Sequence, residues 1–228
     1  MKTRGEKQYI KMPLFAARLY DKLTNVRGVN KSFEEISEFV SGKLKYGRLL
    51  DIGTGPGRLL GEINRRNPQI ELYGLDISES MLKLAKLNLI NIQNHDLRTG
   101  NISHTDYPDN FFDCIISTGS FYNWDDPLCG IDEIFRILKE GNTAFIFDTH
   151  KSYDSKMLSA RLKENLKGYN PMRKALSEFF LKKQLSMTYS VSEYKEILDQ
   201  TRFRSSCMIH QVELGNLPVY IRLELKKE

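Results

Sequence analysis

Long apolar runs are largely missing from this chain of 228 residues. Short runs such as Phe111–Phe112 and Cys114–Ile116 are the rule, and none exceeds four residues (Leu14–Ala17, Ala144–Phe147), far short of the roughly 20 residues a membrane-crossing helix needs. The basic start, Met1 to Arg4, is not followed by an apolar stretch, so neither a membrane span nor a secretory leader is expected. Cysteine is scarce as well. Cys114, Cys129 and Cys207 are odd in number and widely spaced, with no CxxC pair and no Cys/His cluster. That pattern speaks against a disulfide framework and a structural zinc site, predicts no metal, and fits a reducing, cytoplasmic compartment. Apolar residues at 40% and charged residues at 28% exclude wholly disordered, collagen-like and coiled-coil chains. The length suits one domain with a modest surplus.

The net charge of +5 is mild but uneven. Between Lys156 and Lys183 stand eight basic residues (Lys156, Arg161, Lys163, Lys167, Arg173, Lys174, Lys182, Lys183) against Glu164 and Glu178. Such a segment either faces an anionic substrate or RNA, or is simply a solvated helix face.

Periodicity predicts an alternating chain. Phe15, Leu19 and Leu23 follow helical spacing, and Ser32 with Glu35 reads as a capping box opening a helix toward Gly47. Arg48–Ile52 reads as a buried strand, Arg58–Arg66 as a helix stopped at Asn67–Pro68, and Ile70–Leu75 as a second strand. Ser78 caps a helix running to about Gln93. Leu97–Ile102 is a weak third strand, Tyr107–Asn110 a turn, Phe112–Ser117 a fourth strand, Pro127–Leu138 a helix and Thr143–Asp148 a fifth strand. Strands alternating with helices predict crossover units and a parallel sheet. Residues 151–189 break the rhythm with two amphipathic helices separated by Gly168 and Pro171. Ser190 and Glu193 then cap a helix to about Gln200, and Ser206–Leu214 with Val219–Leu225 form a hairpin around Gly215–Asn216.

Chemistry concentrates in Leu49-Leu50-Asp51-Ile52-Gly53-Thr54-Gly55-Pro56-Gly57-Arg58. A buried strand delivers an acid and three alternate glycines at a helix entrance, where the backbone can bend and a ligand can approach it closely. The second strand ends at Asp76, 19 residues past Gly57, where an acid can accept from both hydroxyls of a ribose. A nucleoside-bearing cofactor is implied. The dinucleotide fingerprint G-x-G-x-x-G needs a third glycine where this chain has Arg58 or Leu60, which leaves an NAD-dependent oxidoreductase as the weaker alternative.

The motif present, acid-x-Gly-x-Gly-x-Gly, resembles motif I of class I S-adenosylmethionine-dependent methyltransferases. Gly100 to Asp113 is similar to that family's G-D-A-x-x-L-P-F-x-D-x-S-F-D, and Glu133 to Gly141 to its E-x-x-R-V-L-K-P-G. The combination resembles the small-molecule group typified by ubiquinone and menaquinone biosynthesis methyltransferases. The resemblance implies an α/β Rossmann-like doubly wound sheet, mostly parallel with an antiparallel C-terminal hairpin strand, forming a single domain over 1–228. It also implies a helical cap over 1–46 and a helical lid inserted at 151–189. Asp51, Gly53, Thr54 and Gly55 would hold the amino-acid end of S-adenosylmethionine. Asp76 would grip the ribose, Ile77 would pack on the adenine, and Asn101 with Ile102 would read its amino group, with Asp96 as a rival to Asn101. Ser117 and Thr118 would lie under the sulfonium.

The implied reaction is an in-line methyl transfer to a small-molecule acceptor, with an RNA methyltransferase using the basic segment as the alternative. No (Asp/Asn)-Pro-Pro-aromatic run follows the fourth strand and no cysteine follows a proline, which disfavours the amino-base and cytosine-C5 enzymes. His150, after the fifth strand, is a candidate general base or a histidine that merely opens the next loop. Tyr20, Tyr122, Asn123 and Trp124 are candidates for the acceptor pocket, or packing for the lid.

Overall fold

A computed structural model describes residues 13–228; residues 1–12, the first part of the expected cap, lie outside it. Seven strands form one sheet: β1 (Gly47–Ile52), β2 (Ile70–Asp76), β3 (His95–Thr99), β4 (Phe112–Thr118), β5 (Leu138–Thr149), β6 (Cys207–Leu214) and β7 (Leu217–Lys226). Their order is β3-β2-β1-β4-β5-β7-β6. β1 to β5 run parallel, and β7 lies antiparallel between β5 and β6. The strand order reverses between β1 and β4, and in open α/β sheets that switch point opens a crevice beyond the strands' carboxyl ends. This is the expected Rossmann-like sheet with its antiparallel C-terminal strand.

Alternating residues of the buried strands feed two cores. On one face Leu49, Leu72, Ile116, Phe145 and Phe147 pack against α2 (Arg27–Lys43), α3 (Arg58–Arg66) and Leu89 at the end of α4 (Glu79–Asn88). On the other, Leu50, Ile115, Ile146, Ile221 and Leu223 pack against α5 (Pro127–Ile137) and α8 (Val191–Leu198). Helices α1 (Leu14–Thr24), α6 (Ser155–Asn165) and α7 (Pro171–Met187) complete the set among the described residues. The Ser78 cap and the Ser190–Glu193 capping box both form.

Four boundaries differ from expectation. Helix α2 starts at Arg27, so Ser32 sits inside it and bonds back to the Val29 carbonyl at 2.7 Å instead of capping. The Tyr169 hydroxyl accepts the Arg27 N–H at 3.1 Å, a long-range cap that no local pattern announces. Helix α4 stops at Asn88, whose amide reaches back to the Pro56 carbonyl at 2.8 Å. Strand β3 spans His95–Thr99, leaving Asn101 and Ile102 in the loop beyond it. Strand β5 begins at Leu138, five residues early. Leu138 pairs with Phe112 before a register shift, so the polar Lys139–Asn142 stretch is drawn into the strand.

The β6–β7 turn also fastens the periphery. Gly215 and Asn216 both have positive φ, as a two-residue hairpin turn requires. Glu35 accepts from the Gly215 N–H at 2.8 Å, and the Asn165 amide donates to the Gly215 carbonyl at 2.7 Å. A Cβ on Gly215 would collide with the Gly28 carbonyl. Gly215→Ala is therefore expected to destabilise the protein by about 2 kcal/mol or more, from the left-handed backbone and the backbone clash together. Urea denaturation measures it, with Gly42→Ala, whose Cβ would meet nothing within 4 Å, as the control.

Candidate functional site

A cavity of about 870 Å³ opens at the switch point, walled by the ends of β1 and β2, the loops after β3 and β4, and helices α1, α2, α6 and α7. Its floor is a junction of three loops. The Gly53 and Thr54 N–H groups both donate to the Leu75 carbonyl, at 2.7 and 3.1 Å, which ties the glycine loop to β2. Gly53 has a φ of 72°, and a Cβ there would collide with the Ser120 side chain. The Ser120 hydroxyl reaches the Ile52 carbonyl at 3.0 Å, lies 2.7 Å from that of Ser117, and accepts from the Trp124 indole N–H at 3.2 Å. Gly55 has a φ of 55°, and its missing side chain leaves open space. Gly57 allows close packing of the loop on α4, since a Cβ there would come within 3.1 Å of Ala85 and Leu89.

Asp76 stands at the edge of this floor. Its two carboxylate oxygens accept the N–H groups of Gly55 and Ser78, each at 2.8 Å. A carboxylate has about four acceptor positions, so capacity remains toward the cavity. Burial raises its pKa, offset by those two N–H donors. Asp51 is buried below the loop, and its Oδ1 has no hydrogen-bond partner among the described residues. Burial, opposed by the Thr54 hydroxyl and reinforced by Asp76, pushes its pKa up to about 7.

The cavity gathers ten of the fifteen candidate residues: Gly53, Gly55, Asp76, Ile77, Asn101, Ile102, Tyr20, Tyr122, Asn123 and Trp124. Asp51 and Thr54 lie behind the glycine loop. Ser117 and Thr118 do not line it; Gly119 and Ser120 form that wall, because Ser117 is fully buried and only reaches the site through Ser120. His150 is a correction too. It is 1% exposed, its backbone N–H donates to the Val219 carbonyl, and it is not among the residues that line the cavity. Burial lowers its pKa. The Asp96 alternative points elsewhere, to an ion pair with Arg98 at 2.7 Å. Asn101 lines the cavity and uses its amide oxygen in a local turn, accepting from the Ser103 N–H at 3.0 Å.

Several residues carried no sequence signal. The upper walls come from Phe180, Leu181, Gln184 and Met187 of α7, Leu162 of α6, Val26 and Val29 near the start of α2, and Leu217 and Tyr220 of β7. Gly130 admits the Trp124 ring, which would lie 2.6 Å from a Cβ there. Asp148, at the end of β5, is fully buried and accepts from the Tyr122 and Thr149 N–H groups at 3.1 and 2.7 Å. It fixes the turn of helix at Phe121–Asn123 that carries Tyr122 and Asn123 to the cavity. Burial, opposed by these donors and by Gln184, pushes its pKa up to about 7. Within the basic segment, Arg161 bonds to Asn216 and Arg173 to the carbonyls of Lys22 and Asn25. Of the eight basic residues only Lys183 lines the cavity.

Sheet order, glycine loop and terminal acid together make a Rossmann-like crevice at the switch point. Residues 50–146 match the family described as methyltransferase domain. An uncharacterized methyltransferase, YdaC, of Bacillus subtilis is 36% identical over 98 residues, covering 43% of this chain and 54% of its own. The ubiquinone/menaquinone biosynthesis C-methyltransferase UbiE of Serratia proteamaculans is 28% identical over 157 residues, covering 65% of this chain and 62% of its own. The chain thus spans little more than half the length of these curated relatives. A crystal structure of a putative S-adenosyl-L-methionine-dependent methyltransferase from Methanococcus maripaludis shares the fold, with a TM-score of 0.71, 23% identity and 97% coverage of both chains. Residues 50–146 are thus similar to methyltransferase domains, and the chain shares its fold with a solved structure of that description.

The two buried carboxyls make stability depend on pH. A carboxyl whose pKa rises on folding holds its proton in the folded state while the unfolded chain has lost it. Its contribution is therefore full below about pH 4 and is lost as the pH climbs to about 7. Each such group lowers stability by about 1.4 kcal/mol per pH unit within that window. Asp148→Asn, which keeps an acceptor oxygen, is expected to flatten the fall of unfolding free energy between pH 5 and 7. Urea titrations across that range measure it.

Proposed function

We propose that this protein transfers a methyl group from S-adenosylmethionine to a small-molecule acceptor with an apolar body. The observation that carries the reading is the Asp76 carboxylate, fastened to the glycine loop by the Gly55 N–H at the edge of the cavity. The residues present suit the cofactor. The side-chain-free space at Gly55 is a cradle for a ligand pressed on the backbone. The orphaned, buried Asp51 oxygen, with Thr54 beside it, is matched to a cationic amino group, whose arrival would draw the Asp51 pKa back down. Asp76 holds the ribose hydroxyls, Ile77 and Ile102 flank the adenine, and Asn101 meets its amino edge. Gly119 and Ser120, braced by Ser117, line the floor beside the reacting centre.

When bound, the cofactor supplies an electrophilic methyl group on a sulfonium. The chain's own task is alignment and exclusion of water, and good alignment can contribute on the order of 7–11 kcal/mol. Tyr20, Tyr122, Asn123 and Trp124 shape the acceptor's place. Asp148 acts as a positioning residue for Tyr122 and Asn123. With His150 buried and not lining the cavity, the reading uses no general base there. Helices α1 and α2, within the 1–46 cap, and α6 and α7, within the 151–189 lid, close over the site. Their apolar linings (Leu162, Phe180, Leu181, Met187) favour a hydrophobic small molecule over a polyanion. The three free cysteines suit a reducing, cytoplasmic setting.

Isothermal titration with S-adenosylmethionine and S-adenosylhomocysteine tests the site. Asp76→Ala is expected to weaken both at least tenfold with an unchanged circular-dichroism spectrum, and Asp76→Asn to fall between. Unchanged affinity in Asp76→Ala would remove the ribose assignment. A labelled-methyl transfer screen over apolar small molecules, with RNA as a comparison, then identifies the acceptor class.

A further inference from the structure

Helices α1 and α7 lie side by side and antiparallel at the rim of the cavity. Arg173, near the start of α7, donates to the carbonyls of Lys22 and Asn25 at the end of α1, at 3.2 and 2.5 Å. Tyr20 and Phe180 meet edge to face with centroids 5.9 Å apart, and both line the cavity. On two antiparallel right-handed helices, the residues preceding such a facing pair turn to the same side. Leu19 and Phe179 therefore share one outer face. Phe15, four residues before Leu19, and Met172, seven before Phe179, extend it. These four side chains are 54%, 59%, 75% and 71% exposed for Leu19, Phe179, Phe15 and Met172 respectively. So large an apolar cluster in water marks a contact surface.

The charge around it is of one sign. Arg18 and Lys22 flank the patch on α1, and Lys182 and Lys183 on α7, all exposed. The two helices carry only two acids. Asp21 is paired with Arg58 at 3.1 Å, and Glu178 lies on the far side of α7 from α1. A second copy of this chain would bring the same cations against these, which opposes self-association. An apolar face with a cationic rim is instead complementary to anionic headgroups over acyl chains.

We propose that the α1–α7 face docks on the surface of an anionic lipid bilayer, with Phe15, Leu19, Met172 and Phe179 entering the headgroup boundary and the flanking cations meeting lipid phosphates. Tyr20 and Phe180, which line the cavity, then lie beside the membrane surface, where an apolar molecule dissolved in the bilayer is at hand. Docking involves no cofactor and no turnover, so it stands or falls apart from the methyl-transfer reading.

Co-sedimentation of the full chain with extruded vesicles tests the proposal. Vesicles of phosphatidylglycerol and phosphatidylcholine are expected to pellet the protein, and vesicles of phosphatidylcholine alone to leave it in solution. Binding is expected to weaken at least tenfold from 50 to 500 mM NaCl. The pair Phe15→Ser/Phe179→Ser is expected to lower the partition coefficient at least tenfold, as is Arg18→Glu/Lys182→Glu, with melting temperatures confirming that both variants fold. No pelleting with anionic vesicles would overturn the proposal. So would equal binding to neutral vesicles. Salt-sensitive pelleting that survives the double Phe substitution would point to a bare polyanion site such as RNA binding and would also overturn it. A dimer in sedimentation velocity that the Phe variant dissolves would assign the face to a second copy.

Discussion

The absence of a side chain at Gly53 sets the geometry on which the rest depends. Only with a glycine there can the first loop press against Ser120, so that the mouth of β1 and the loop after β4 share one floor. Ser120 then anchors on the Ile52 carbonyl, supports the Trp124 indole and meets Ser117. The neighbouring N–H groups reach β2 through Leu75 and Asp76. Three strand ends are locked by contacts that each engage a main-chain atom, and the cavity inherits its shape from that lock.

The floor is local and was legible in the sequence for that reason. Alternating glycines, a strand-end acid and the spacing to Asp76 are short-range patterns imposed by backbone sterics, and the sheet order follows from crossover rules. Arg58–Arg66 and the Ser190–Glu193 box were readable because their start and stop signals lie within a few residues. The misses are all long-range. The start of α2 depends on a hydroxyl 142 residues away at Tyr169. The upper wall depends on which face of α7 turns inward, and an amphipathic pattern does not say which neighbour it meets. His150 suits a general base by its place after a strand, but the strand pairing of its backbone with Val219 and Tyr189 leaves the residue buried.

Electrostatics follow the same division. Asp51 and Asp148 are both pushed to about 7, yet they differ in kind. Asp148 is satisfied by backbone donors and builds the wall from behind. Asp51 keeps an orphaned oxygen beneath the loop, an arrangement suited to receiving a cation from outside the chain. One buried acid is architectural and the other is left wanting a partner.

Several polar contacts that fasten the α6–α7 region to its surroundings are addressed to main-chain atoms. Arg173 grips the Lys22 and Asn25 carbonyls, Tyr169 meets the Arg27 amide, and Asn165 takes the Gly215 carbonyl. A clasp that grips peptide groups is indifferent to the side chains those positions bear. The outer surface of α1 is thereby free to drift between relatives, or to be rewritten by an engineer, while the roof keeps its seat.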